Sequence, residues 1–206
     1  MLQHGPLLER LLAGDFICQI SDEDGYRHLS DEQTQQEINL YLRPLNRRLV
    51  SNDDGSVFYL GYHELSKEAR EHLSSQFALT VQSLLPLLEW LQLVQETLGR
   101  DSALTAGDTI KLQEFVLRTE DNQSLRQRLN ALASDRFFNS QSEQLDSQVK
   151  LIFRRLKEHG YLLQPHSERQ YYIVTGKIDH LLDVIRFIRD EEQLPVDDTP
   201  SQEALL

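Results

Sequence analysis

The sequence predicts a mainly α fold with small β-hairpins, an α+β class, and three observations carry that expectation. Apolar residues recur at helical spacing through most of the 206 residues. Twice, such segments give way to two short β-prone runs around a polar turn. At this length, 39% hydrophobic residues are enough to build real cores. The repeated order of helices and then a hairpin predicts tandem winged-helix domains, with each hairpin as the wing. The expected division is an N-terminal domain over 1–65, connecting helices over 66–100, a C-terminal domain over 101–190 and an acidic disordered tail over 191–206.

Each element has a local reason. Leu7, Leu8, Leu11 and Leu12 give a short helix stopped by Gly14, and Phe16-Ile17-Cys18 reads as a brief strand or buried connector. A polar loop is expected from Ser21 to His28. A second helix, capped near Ser30, follows with Ile38, Leu42, Leu45 and Leu49 on its apolar face; Pro44 should kink it or end it. Arg48-Leu49-Val50 and Val57-Phe58-Tyr59-Leu60 flank an Asp54-Gly55 turn, a hairpin signature. Ser66 to Leu98 is helical, with a break expected near Ser83 because Pro86 suits only a helix beginning close before it. Asp108 can cap a helix presenting Ile110, Leu112, Phe115, Val116 and Leu117. Ser124 to Ala133 makes another helix, and Leu145, Val149, Ile152, Phe153 and Leu156 line a third that Gly160 terminates. Tyr161-Leu162-Leu163 and Tyr171-Tyr172-Ile173-Val174 form the second hairpin. A last helix carries Ile178, Leu181, Leu182, Ile185 and Ile188.

Charge and composition narrow the function classes. The net charge of -12 argues against nucleic acid, but six acids and no base lie between Asp190 and Leu206, so half of that charge sits in the last 17 residues. No membrane span is expected, since the apolar stretch Leu79 to Val94 is interrupted by Gln82, Ser83, Glu89 and Gln92. Glu9 and Asp15 do not suit a cleavable signal peptide, and the single cysteine, Cys18, suits a reducing compartment, so a cytoplasmic location is expected. Seven dispersed histidines match no metal spacing, and there is no phosphate-binding glycine loop or nucleophile elbow. The expectation is a protein that is not an enzyme, with no cofactor, metal or small-molecule substrate.

The basic and aromatic residues are more informative. Lys150, Arg154 and Lys157 share one face of the helix before the second hairpin, the recognition position of a winged helix. With Arg155 and the wing residue Arg169 they are candidate contacts to DNA phosphates; the competing reading is a solvated face balanced by Glu143, Asp146 and Glu158. No array of amides points to base readout, so any DNA binding should be weak and sequence-tolerant. Arg43, Arg47 and Arg48 complement the dipole at the end of the second helix. Phe58, Tyr59, Tyr62, Tyr161, Tyr171 and Tyr172 decorate the hairpins, where some fill cores and others are candidate protein-binding anchors. Trp90 suits a core or a dimer interface equally.

Collinear short motifs add a resemblance. Leu12-Ala13-Gly14-Asp15-Phe16-Ile17, Asp54-Gly55-Ser56-Val57-Phe58-Tyr59-Leu60, Val149 to Gly160 and Phe187-Ile188-Arg189-Asp190 resemble the MukE/MksE subunits of bacterial condensin-like complexes, closest to MksE, a branch of the tandem winged-helix kleisin-interacting (KITE) proteins. The resemblance implies a homodimeric, non-catalytic, nucleoid-associated accessory subunit. It would bind a kleisin (MksF-like) and, through it, an SMC ATPase (MksB-like), in a complex that organises or segregates chromosomal DNA or acts against plasmids. The alternative from another class is a free-standing dimeric winged-helix transcriptional regulator reading a specific operator.

Overall fold

The computed structural model describes the backbone of residues 4–192 and the side chains of residues 4–187. The first lobe runs α1 (Gly5–Leu12), β1 (Ile17–Cys18), α2 (Glu23–Leu29), α3 (Glu32–Leu42), a 3-10 turn (Arg43–Leu45), β2 (Arg47–Ser51) and β3 (Val57–Tyr62). Its three-stranded sheet has the order β1-β3-β2, all antiparallel, with Ile17 opposite Phe58 and Leu49 opposite Leu60. Leu7, Leu8 and Leu11 of α1, Leu29, Ile38 and Leu42 of the next helices, and Ile17 and Phe58 of the sheet form its core.

Several local expectations change here. The segment expected as a polar loop holds α2, because the Asp22 carboxylate accepts from the Gly25 N–H at 2.9 Å and caps a helix that buries Leu29. Asp31 rather than Ser30 caps α3, accepting from the Thr34 N–H at 2.8 Å. Pro44 ends that helix as expected, and the 3-10 turn swings Leu45 out to solvent. Arg47 and Arg48 consequently sit on β2 rather than at a helix end, so a helix dipole does not explain them.

The linking helix, α4 (Lys67–Leu98), is 32 residues long and passes through Pro86 without the expected break. Proline in a helix interior removes one backbone bond and costs about 3 kcal/mol. Leu87, Trp90, Leu93 and Val94, all fully buried, outweigh that loss at roughly 1.5–3 kcal/mol for each aliphatic side chain. An uninterrupted α4 also holds an 18-residue window of mean hydropathy 1.4, long and apolar enough to cross a bilayer by length and composition. This corrects the expectation that no segment reaches that threshold. Its C-terminal half, however, is the wall of a protein core.

That core belongs to the second lobe, which continues through β4 (Thr109–Lys111), α5 (Leu112–Glu120), α6 (Gln123–Ser134), α7 (Leu145–Glu158), β5 (Leu162–Leu163), β6 (Tyr171–Val174) and α8 (Lys177–Glu192). The sheet order β4-β6-β5 repeats that of the first lobe: the short first strand pairs with the last. Asp108 does not cap α5, because Ile110 is drawn into β4 opposite Tyr172; its carboxylate instead accepts from the Thr105 N–H at 3.0 Å and pairs with Arg100 at 2.9 Å. Phe115, Leu129, Phe138, Val149, Ile152, Phe153 and Leu156 pack with the buried α4 residues, and Trp90 sets its edge against Phe153. Leu117, expected on the apolar face of α5, is exposed. The tail expected over 191–206 lies outside the described residues, except that α8 runs on to Glu192.

Candidate functional site

Strand alternation decides what the first hairpin offers. On β3, Phe58 and Leu60 turn toward the first core, and Tyr59 points the opposite way, toward α8. There Phe16 stacks on Tyr59 with centroids 5.2 Å apart, and His180 lies 5.0 Å from Phe16 and 4.6 Å from Tyr59. Lys177, one helical turn earlier, donates to the His159 carbonyl at 2.9 Å and lies 4.8 Å from the Phe16 ring and 5.0 Å from the Tyr161 ring. Burial sets the protonation of this cluster. It pushes the Tyr161 hydroxyl up to about 12, raises Tyr59, and holds Lys177 and His180 below their ordinary values.

The cluster floors a cleft of about 700 Å³ between the lobes. One wall is the turn after α1, with Leu12 and the positive-φ Gly14; the other is α4, presenting Leu73, Gln76, Leu79 and Thr80. Tyr62 closes one end, its hydroxyl 2.7 Å from His72 Nδ1 and its face covered by the Arg47 guanidinium at 3.8 Å. Exposed leucines at the rim, rings in the floor and cations at the edges suit an amphipathic polypeptide segment. Of the candidate anchors, Tyr59, Tyr62 and Tyr161 meet here, Phe58 fills the first core, and Tyr171 and Tyr172 face elsewhere.

A second groove of about 630 Å³ lies between α7 and the β5–β6 hairpin. Lys150, Arg154 and Lys157 line it together with Gln164 and Tyr172. The expected shared face of these three cations is therefore real, yet partly neutralised: Lys150 pairs with Asp146 at 2.6 Å and Arg154 with Glu158 at 3.8 Å. Lys157 reaches Gln164 at 3.2 Å. Arg155 is off this face, bound to Glu158 at 3.0 Å with its Nε buried and unpartnered. Arg169 turns to a different groove, with Lys111, Arg118 and Tyr171.

A family model described as condensin complex protein MksE matches residues 3–186. The chain belongs to the MksE family. No curated protein matches it. Membership in a family of condensin complex proteins makes other subunits of such a complex its partners.

The match covers both lobes of this MksE-family chain, and the contact between them is what the residues alone did not disclose. Phe16 and His180, like Cys18 and Gly176, meet across more than 150 positions of sequence. Only the burial of the Phe16-Ile17-Cys18 stretch was a signal for it. Cys18 packs as a small hydrophobe and accepts the Gly176 N–H at 3.3 Å. Among the described residues, no group of three or more His, Cys, Asp or Glu is placed to hold a metal ion.

Proposed function

We propose that this chain is a non-catalytic accessory subunit of a bacterial condensin-like SMC complex, working as a homodimer. The kleisin lies in the cleft between the lobes, and the α7 groove gives DNA a weak, sequence-blind contact. ATP hydrolysis belongs to the SMC partner, and the assembly acts on the nucleoid in the cytoplasm, in chromosome organisation or plasmid defence.

The observation that carries this reading is the cleft. It gathers Tyr59, Tyr62 and Tyr161 with exposed Leu12, Leu73 and Leu79 in a family whose members work inside condensin complexes. The topology supports a tandem winged-helix fold. In the first lobe helix, strand, two helices and two strands follow in order, with the last strand central, and the second lobe repeats the sheet. On that reading α7 is the second recognition helix and β5–β6 its wing.

A pulldown of the tagged full chain from native lysate tests the proposal, with recovery of a kleisin and an SMC ATPase expected. Leu73→Glu with Leu79→Glu should abolish kleisin recovery while leaving the far-UV circular dichroism unchanged. Undiminished recovery removes the cleft from the mechanism. Recovery of neither partner, alongside a specific operator footprint, replaces the proposal with a free-standing regulator.

A further inference from the structure

The cleft between the lobes holds two cations, and among the described residues neither is paired with a carboxylate. Arg47 lies over the Tyr62 ring, and half-buried Lys177 directs its ammonium at the His159 carbonyl and the rings of Phe16 and Tyr161. Asp15, the one described carboxylate lining the cleft, is held by Arg10 at 2.9 Å. This is unexpected in a chain with 33 acids against 21 Lys and Arg. Charged groups drawn out of water are ordinarily paired. Set beside the six leucines that line the same cleft, Arg47 and Lys177 suit a segment that is acidic and apolar at once.

We infer that residues 193–206 of the same chain fill this cleft until a protein partner displaces them. The inference adds a regulation to the proposed function and rests on that reading only for the identity of the partner. The composition of the segment matches the cleft: Leu194 and Val196, then Asp197 and Asp198, then Glu203 with Leu205 and Leu206, and no base. Its reach is sufficient. Helix α8 lines the cleft from Lys177 to Val184 and ends at Glu192, so the segment begins about 12 Å beyond the last α8 residue in the cleft, at 1.5 Å per residue. Fully extended, residues 193–206 span up to about 46 Å, enough to turn back and enter it. Tethering also supplies an effective concentration on the order of a millimolar, so contacts too weak to hold a free peptide are enough here. The α7 groove is the poorer seat for these acids. Asp146 and Glu158 hold two of its three cations, and Leu151 is the one leucine lining it.

Crosslinking within the full chain tests this before any partner is added. Cys18 is buried, so a short bismaleimide should join Gln76→Cys, on the α4 wall of the cleft, to Thr199→Cys of the same chain. Asp197→Lys with Asp198→Lys should cut the yield of that link at least fivefold. Without the added cysteines, the same two lysine substitutions should raise kleisin recovery from native lysate at least threefold, with the circular dichroism spectrum unchanged. Three results overturn the proposal: a link that forms equally well to Ser147→Cys in the α7 groove, one that the lysines leave unchanged, and one that joins two chains instead of closing one. Each of these leaves the kleisin reading standing, because no partner takes part. A charge-sensitive link with unchanged kleisin recovery overturns the competition between segment and partner. A charge-sensitive link in a chain that recovers no kleisin in either form supports the seat and sinks the kleisin reading alone.

Discussion

Gly176 lies directly against the first sheet, and its missing side chain is the reason it can. A Cβ there would lie 2.5 Å from Val57 Cγ2 and 2.9 Å from Cys18 Cβ, both parts of the first sheet rather than flexible ends. Gly176→Ala should therefore push β1 and β3 away from α8 and cost about 1–3 kcal/mol, the usual penalty of overpacking, read as a lower melting temperature. An unchanged melting temperature would mean that the lobes slide without resistance. Four residues on, His180 predicts a pH dependence. Burial lowers its pKa, the positive charge of Lys177 acts in the same direction, and Asp183 opposes both. The folded chain consequently binds fewer protons than the unfolded chain as pH falls through the ordinary histidine value near 6.5, so stability declines below that pH. His159 adds a decline of the same sign through its own burial beside Lys177 and Arg155. His180→Phe keeps a ring against Phe16 and Tyr59, and its melting temperature should fall less than that of the wild type between pH 7.5 and 5.5. Equal falls would place the acid sensitivity elsewhere.

Among the elements, the long periodic ones were legible and the short ones depended on partners. Val149, Ile152, Phe153 and Leu156 marked α7 because its buried side repeats over about two turns, and the Asp54-Gly55 turn marked β2–β3. Thr109-Ile110-Lys111 is a strand only because β6 lies beside it, which no three-residue pattern can disclose. The continuity of α4 through Pro86 was hidden for a related reason: local propensity favours a break, and tertiary burial of Leu87 to Val94 overrides it. Helix α2 is hidden differently, since the polar stretch around Asp22 reads as a loop while its carboxylate caps a helix. Asp22→Ala should destabilise the first lobe by about 1 kcal/mol, and Asp22→Asn, an equally good cap, should retain most of that stability even though it loses the ion pair with Arg10. Chemical denaturation of the two variants separates capping from charge.

Across the whole molecule, half of the net charge of -12 lies in the last 17 residues while three bases line one groove, so the total does not decide whether DNA is touched. The spacing of Lys150, Arg154 and Lys157 made one face of α7 legible, but the hairpin that turns that face into a groove comes from Gln164 and Tyr172 beyond it. The cleft was less legible still, because Phe16, Tyr59, Lys177 and His180 converge only once both lobes have folded. Asp146 and Glu158 already hold two of the three groove cations, so phosphate must compete with carboxylate there. Each phosphate neutralised steepens the dependence of log K on log salt by about 0.9, which limits the slope from three cations to roughly −3. Lys150→Glu, Arg154→Glu and Lys157→Glu together should abolish retention on duplex DNA at low salt, irrespective of sequence. On the proposed function the same variant should still recover the kleisin, since the cleft includes none of these residues. Retention equal to the wild type would leave DNA contact to the other subunits and reduce this chain to a clamp on its protein partners.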